Sequence, residues 1–248
     1  MYRVDLNADL GEGAGNDAAI LDFVTSANIA CGGHAGDPDL MARTIALAKA
    51  KGVAIGAHPG YPDREGFGRR MLPGSPKDVH DFVIEQLSAL FNLARAAEVP
   101  MAHVKPHGAL YNAAATDLTM ADAIATAVAN VDPSLVLYGL AGSELIAAGQ
   151  RAGLRTAAEG FADRSYGSDG TLTPRSDPRA LIDDPAIAVA QAVQMVIERK
   201  VGSLEGNDIE LHVDTICIHG DSPHAPTFAQ AISVGLRAEG IKVKPLSS

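Results

Sequence analysis

Polar and apolar residues alternate at the start of the chain: Asp5, Asn7 and Asp9 are interleaved with Val4, Leu6, Ala8 and Leu10. In a strand, positions i, i+2 and i+4 share a face. One face of this segment is therefore apolar, and the other carries two carboxylates and an amide. Two placements fit: a strand lining a closed α/β barrel, polar side in the lumen, or an edge strand with a solvated acidic face. The rest of the chain favours the barrel, because strand, polar loop and helix recur in turn. Strands are predicted over residues 26–30, 53–57, 101–105, 135–138, 154–159 and 215–218, with a short terminal one over 241–244. Helices are predicted over 18–23, 38–51, 77–98, 117–130, 142–152, 185–200 and 223–239. Asp17 stands where it can cap the first, and Asp37-Pro38 supply the N-cap and first-turn proline of the second. In the third, Val79, Phe82, Val83, Leu87, Leu90, Phe91 and Ala94 form a core-facing stripe. Gly206-Asn207-Asp208 reads as a hairpin turn. Alternating strands and helices imply parallel strands joined by right-handed crossovers. No linker divides the chain, so residues 1–248 are read as one barrel-like domain.

Composition narrows the function classes. The chain has 248 residues, is 47% hydrophobic and contains 25 Gly and 14 Pro, which suits one packed α/β domain. Its net charge of -10 argues against a nucleic-acid partner, which would require clustered Lys and Arg. No apolar run reaches the length of a membrane span, and the N-terminus lacks the pattern of a secretory signal. Cys31 and Cys217 are no disulfide framework. A reducing cytoplasm is the expected compartment.

The chemistry-bearing residues fall just after the strands: Asp9 and Glu12, Cys31 and His34, His58, Lys105 and His107, Glu159, then His219 and Asp221. In a parallel barrel those strand ends converge on one mouth, where such folds place active sites. Three chemistries fit. A divalent ion on Asp9, His34 and His58, with His107 or His219 as further candidates, could activate water and polarise a carbonyl. Metal-free acid/base work could pair Asp9 or Glu12 with Lys105 and His107, the lysine binding an anion or a developing oxyanion. A thiol nucleophile at Cys31 beside His34 is the third, against the commoner outcome of a buried inert cysteine. Cys217, within an apolar strand, reads as core, and His80 and His224 as surface or capping residues. Gly11 to Gly15 fails the dinucleotide fingerprint and reads as a loop over the site, with phosphate cradling as second choice.

These residues also carry a family resemblance. The blocks 5–13 (DLNADLGEG), 28–37 (NIACGGHAGD), 56–63 (GAHPGYPD) and 104–112 (VKPHGALYN) resemble the LamB/YcsF family, as do 159–164 (EGFADR) and 215–221 (TICIHGD). That family is also known as the A subunit of the bacterial 5-oxoprolinase. The resemblance implies a seven-stranded TIM-like barrel of the glycoside hydrolase/deacetylase kind. It implies cleavage of 5-oxo-L-proline to L-glutamate coupled to ATP hydrolysis, with Mg2+ accompanying the nucleotide, in a complex with subunits B and C. On that reading Asp9, Glu12, Lys105 and His107 are catalytic. Asn7, His34, Tyr111, Glu159, Arg164, His219 and Asp221 bind substrate, with Lys105 and Arg164 holding carboxylate or phosphate and His107 or His219 supplying a proton. The competing function is a stand-alone, metal-dependent hydrolase of an acetamido sugar. The absence of Trp and an aromatic content of 4% disfavour the extended groove it would need. A scaffolding role would give no reason to gather so many ionisable groups.

Overall fold

A computed structural model describes residues 2–221 and 224–246. Seven parallel strands close into a barrel: β1 (Arg3–Leu10), β2 (Ser26–Ala30), β3 (Ala54–His58), β4 (Met101–Val104), β5 (Val136–Leu140), β6 (Arg155–Phe161) and β9 (Thr215–Ile218). β9 pairs with both β6 and β1, which closes the ring. The terminal β10 (Lys242–Val243) extends the sheet beside the start of β1, and β7 (Lys200–Gly202) and β8 (Asp208–Glu210) form an antiparallel hairpin outside it. Around the ring lie α1 (Asp17–Ile20), α2 (Pro38–Lys51), α3 (Pro76–Ala96), α4 (Gly108–Thr116), α5 (Leu118–Val131), α6 (Glu144–Arg151), α7 (Pro185–Ile197) and α8 (Ala225–Ala238).

The alternation in β1 does what its spacing implies. Val4, Leu6, Ala8 and Leu10 join the main apolar core, while Asp5, Asn7 and Asp9 are buried in hydrogen-bonded contact with other strands. The barrel interior is therefore polar and layered rather than filled with branched aliphatics. At its base, Asp5 meets four hydroxyls: Thr25 and Ser26 at one oxygen, Thr215 and Tyr138 at the other, at 2.7–3.1 Å. One layer up, the Asn7 amide donates to Glu159 and Thr215, and its oxygen accepts from Asn28. The Asn28 oxygen meets His103 Nε2 at 2.7 Å. The His103 imidazole needs the space left by Gly56, where a Cβ would lie 2.2 Å from the ring.

Local signals behave as read for α2: the Asp37 carboxylate accepts from Leu40 N–H, Pro38 opens the helix and Gly52 ends it in the left-handed region. The hairpin turn before β8 also forms. Other expectations are corrected. Asp17 caps nothing: its Oδ2 accepts from the Gly11 N–H and the Thr44 hydroxyl, both at 3.0 Å, and so anchors the Gly11 loop, and α1 stops at Ile20. The helix predicted over 185–200 stops at Ile197, because Lys200 already belongs to β7. Helix α4 is not among the predicted helices; its Ala-rich turn follows His107 directly. The expected helix start at Pro223 lies outside the described residues.

Candidate active site

The carboxyl ends of the strands form a mouth whose centre is a buried lysine. Lys105 follows β4, and its N–H donates to the Ala57 carbonyl of β3, which keeps the side chain on the lumen face. Its ammonium lies 3.0 Å from Asp9 Oδ1, 2.9 Å from Glu159 Oε1 and 2.8 Å from Cys217 Sγ. Burial opposes its charge, but Asp9 and Glu159 outweigh burial and hold the amine well above its ordinary range. Burial likewise opposes ionisation of Asp9, yet His58 and Lys105 keep its carboxyl well below the usual range. Asn28 donates to the same Asp9 oxygen at 2.8 Å.

Beside Asp9 stands a cluster of one carboxylate and three imidazoles. His34 Nε2 is 3.1 Å from Glu12 Oε1, His107 Nδ1 is 3.5 Å from it and His58 Nε2 is 3.9 Å from it. His58 Nε2 and His107 Nδ1 are 3.0 Å apart, and the rings of His34 and His107 stack at 3.7 Å. The chain brings these groups from the loops after β1 and β2, the end of β3 and the segment after β4. Burial, reinforced by the Asp9 and Asp221 charges, pushes the Glu12 carboxyl well up. Burial, with the neighbouring His58 imidazole, pushes His34 down to about 2 and His107 well below its ordinary value. The four side chains can hold a metal ion, since one ligand atom of each lies within 4.8 Å of the others.

The opposite wall holds a second imidazole device. His219, just past β9, has Nδ1 at 2.8 Å from Asp163 Oδ2, and its backbone N–H also meets that carboxylate. Burial opposes the charge of Asp163, but His219 outweighs it and holds the carboxyl below its ordinary value. A cavity of about 330 Å³ lies between the walls, lined by Asp9, His58, Lys105, His107, Tyr111, Phe161 and His219 among others. Arg69 and Arg175 also line it. A larger cavity of about 490 Å³ adjoins it, and both are lined by His219 and Arg175.

The expected residues are thus brought to one end of the barrel, with several reassigned. Asp9 does not share a ligand cluster with His34: its Oδ1 is taken by Lys105 and Asn28, and Glu12 and His107 complete the cluster around His34 and His58. Arg164 is buried with Nε and Nη2 on the carbonyls of Ala180 and Thr173, so it ties down the long loop after β6. Burial, with Arg175 nearby, lowers its guanidinium to about 10. Asp221 pairs with Arg69 at 2.5 Å on the rim. Glu159 Oε2 and the Tyr111 hydroxyl are buried without a hydrogen-bond partner among the described residues. Cys31 is buried, donates to the Ile29 carbonyl and is pushed by burial to about 12, which removes it as a nucleophile. Cys217 is buried in a core cluster, as read, and its sulfur also touches Lys105. His103, four residues before His107, belongs to the lumen layer below and not to the mouth. Asp163 and Asn28 have no assigned role in the sequence reading. Asn28 is findable there, since it shares the alternating face of its strand with Ser26.

Comparison with known proteins agrees with this architecture. Residues 4–248 match the LamB/YcsF family. The chain is 56% identical to the A subunit of 5-oxoprolinase from Bacillus subtilis (strain 168), over 100% of this chain and 98% of that one. It is 55% identical to the corresponding 5-oxoprolinase A subunit of Methylococcus capsulatus, over 98% of this chain and 95% of that one. The crystal structure of the lactam utilization protein from Thermus thermophilus superposes with a TM-score of 0.92 at 46% identity, covering 98% of this chain and 99% of that one. The peptidoglycan deacetylase PdaC from Bacillus subtilis, at a TM-score of 0.50 and 12% identity over 99% of this chain and 88% of that one, shares the fold alone. The chain belongs to the LamB/YcsF family.

Proposed function

We propose that the chain is the A subunit of a 5-oxoprolinase. It opens the ring of 5-oxo-L-proline to give L-glutamate, coupled to hydrolysis of ATP to ADP and phosphate, in the cytoplasm with subunits B and C. The names carried by full-length relatives support the substrate. The observation that carries the chemistry is one cavity holding an ionised carboxylate, a buried ammonium and a carboxylate-backed imidazole. ATP with Mg2+, and a divalent ion in the barrel mouth, are the cofactors of this reading.

A lactam is an unactivated amide. Opening it requires polarisation of the carbonyl, an activated water and a proton for the departing nitrogen. Asp9 is held ionised, its Oδ1 on Lys105 and Asn28 and its Oδ2 3.4 Å from His58 Nε2, and serves as the base toward water. Lys105 keeps one positive charge fixed within the cavity wall, where charge on the carbonyl oxygen develops. His219 supplies the proton: Asp163 fixes its Nδ1–H and stabilises the imidazolium, leaving Nε2 as the donor. His107 is unsuited to that role, because its Nε2 is committed to the Phe67 carbonyl at 2.9 Å. Glu12, pushed toward its neutral form, is a poor base on its own. Arg69, Arg164 and Arg175 line the cavity; Arg164 spends Nε and Nη2 on loop carbonyls and Arg69 pairs with Asp221, so Arg175 is assigned to an anionic substrate group.

The test is glutamate release from 5-oxoproline by the tagged chain purified with its co-eluting partners, with and without ATP. Glutamate formed only with ATP is the expected result. No glutamate under either condition, with partners retained, would overturn the reading in favour of a metal-dependent deacetylase of an acetamido sugar.

A further inference from the structure

The protonation pattern around His58 and His107 is fixed by backbone. His58 Nδ1 lies 2.7 Å from the Lys105 carbonyl and His107 Nε2 lies 2.9 Å from the Phe67 carbonyl. A carbonyl only accepts, so each of these nitrogens carries the ring proton. The remaining nitrogens, His58 Nε2 and His107 Nδ1, therefore point lone pairs at each other across 3.0 Å. Two lone pairs repel unless a positive charge sits between them. A shared proton would satisfy that pair alone, but Glu12 Oε1 and His34 Nε2 converge on the same spot. Metal–imidazole bonds of about 2.0–2.1 Å at tetrahedral angles put ligand atoms about 3.3 Å apart. The observed separations of 3.0–3.9 Å bracket that spacing.

We infer that Glu12, His34, His58 and His107 form a binding site for one late first-row divalent ion of the zinc, cobalt or nickel class. Three imidazole nitrogens and one carboxylate oxygen suit such ions, whereas Mg2+ and Ca2+ take oxygen ligands. Carbonyls that hold the far nitrogens of two ligating histidines are the outer-shell device that sets tautomer and ring orientation. The Phe67 carbonyl is delivered by a non-glycine residue at φ 53°, an uncommon conformation that aims it at His107. Asp9 Oδ2 lies 3.4 Å from His58 Nε2, but Asp9 clusters with Cys217 and His219 and not with these four. His58 and His107 face the cavity, so a bound ion would polarise a carbonyl placed there. That catalytic use rests on the proposed lactam opening; binding of the ion does not.

The experiment measures metal content of the purified chain by mass spectrometry, then titrates metal-stripped protein with Co2+ and reads the visible absorption of the bound ion. One ion per chain and a saturable cobalt band are expected. Affinity should fall by at least about 100-fold in Glu12→Gln and in His107→Gln, and stay unchanged in the surface variant His80→Gln. Circular dichroism checks folding, and the cobalt titration of unmutated protein stands even if a variant does not fold. Folded protein with no stoichiometric ion and no cobalt band would overturn the site, as would unchanged affinity in both ligand variants. A bound ion in a complex that releases no glutamate would leave this site standing and defeat the oxoprolinase reading.

Discussion

Lys105 Nζ lies 3.0 Å from Asp9 Oδ1 in the barrel mouth, and both side chains are buried. The pair is not isolated, since Glu159 takes a second side of the ammonium at 2.9 Å. One cation thus neutralises much of the charge of two buried carboxylates. Removing it leaves two buried carboxylates with amide donors, Asn28 at Asp9 and Asn7 at Glu159, in place of a cation, which is costlier than the pair is stabilising. Lys105→Met should therefore lower stability by about 3–5 kcal/mol, measured by urea unfolding. A loss under about 1 kcal/mol would mean that water already screens these carboxylates.

The pairing of Asp163 with His219 makes a kinetic claim. If the carboxylate orients and charges the imidazole, Asp163→Asn should lower kcat for glutamate release by about 100-fold or more with little change in KM. A KM effect alone would mean that the pair binds substrate rather than moving a proton.

Asp5 should make stability fall as pH rises. Burial raises its folded-state pKa above the ordinary 3.8, against the lowering effect of its hydroxyl partners, Ser26 foremost. The folded chain therefore holds this proton more tightly than the unfolded chain. Its stabilising contribution is complete below the ordinary value and is lost as pH rises through the raised one. Asp5→Asn removes that loss. The unfolding midpoint of the variant, compared with the parent from about pH 4 to about pH 8, should shift in the variant's favour as pH rises. A constant difference would refute the assignment.

Gly56 makes a packing claim. Its Cβ-free backbone lets the His103 ring lie against β3, so Gly56→Ala should cost about 1–3 kcal/mol or more through overpacking. Gly202→Ala, where nothing lies within 4 Å of an added Cβ, should change stability by less than about 0.5 kcal/mol. Thermal melts of the two variants side by side check the contrast.

What the sequence revealed and what it withheld follow from the range of each signal. The alternation of Asp5, Asn7 and Asp9 is a local, period-two pattern, and it placed these side chains in the lumen. The recurrence of His and carboxylate after strands depends only on parallel topology, so the mouth was legible too. Which of Asp9 and Glu12 joins the imidazoles depends on the turn taken at Gly11, where Asp17 pins the backbone N–H from six residues away. Arg164 lines the cavity while two of its donors go to carbonyls at Thr173 and Ala180, partners hidden from the sequence because they belong to an irregular loop without periodicity. Helix α4 was hidden by Pro106 and Gly108, which punctuate the turn into it rather than a longer loop.

The most direct measurement is the Asp9→Asn substitution in the complex assembled with its partner subunits, assayed for glutamate release from 5-oxoproline with ATP. Asparagine keeps the contact with Lys105 but cannot take a proton from water, so release should fall by about 100-fold or more with the protein still folded. Full activity in a folded Asp9→Asn complex would contradict the assignment of the barrel mouth as the place where the ring is opened.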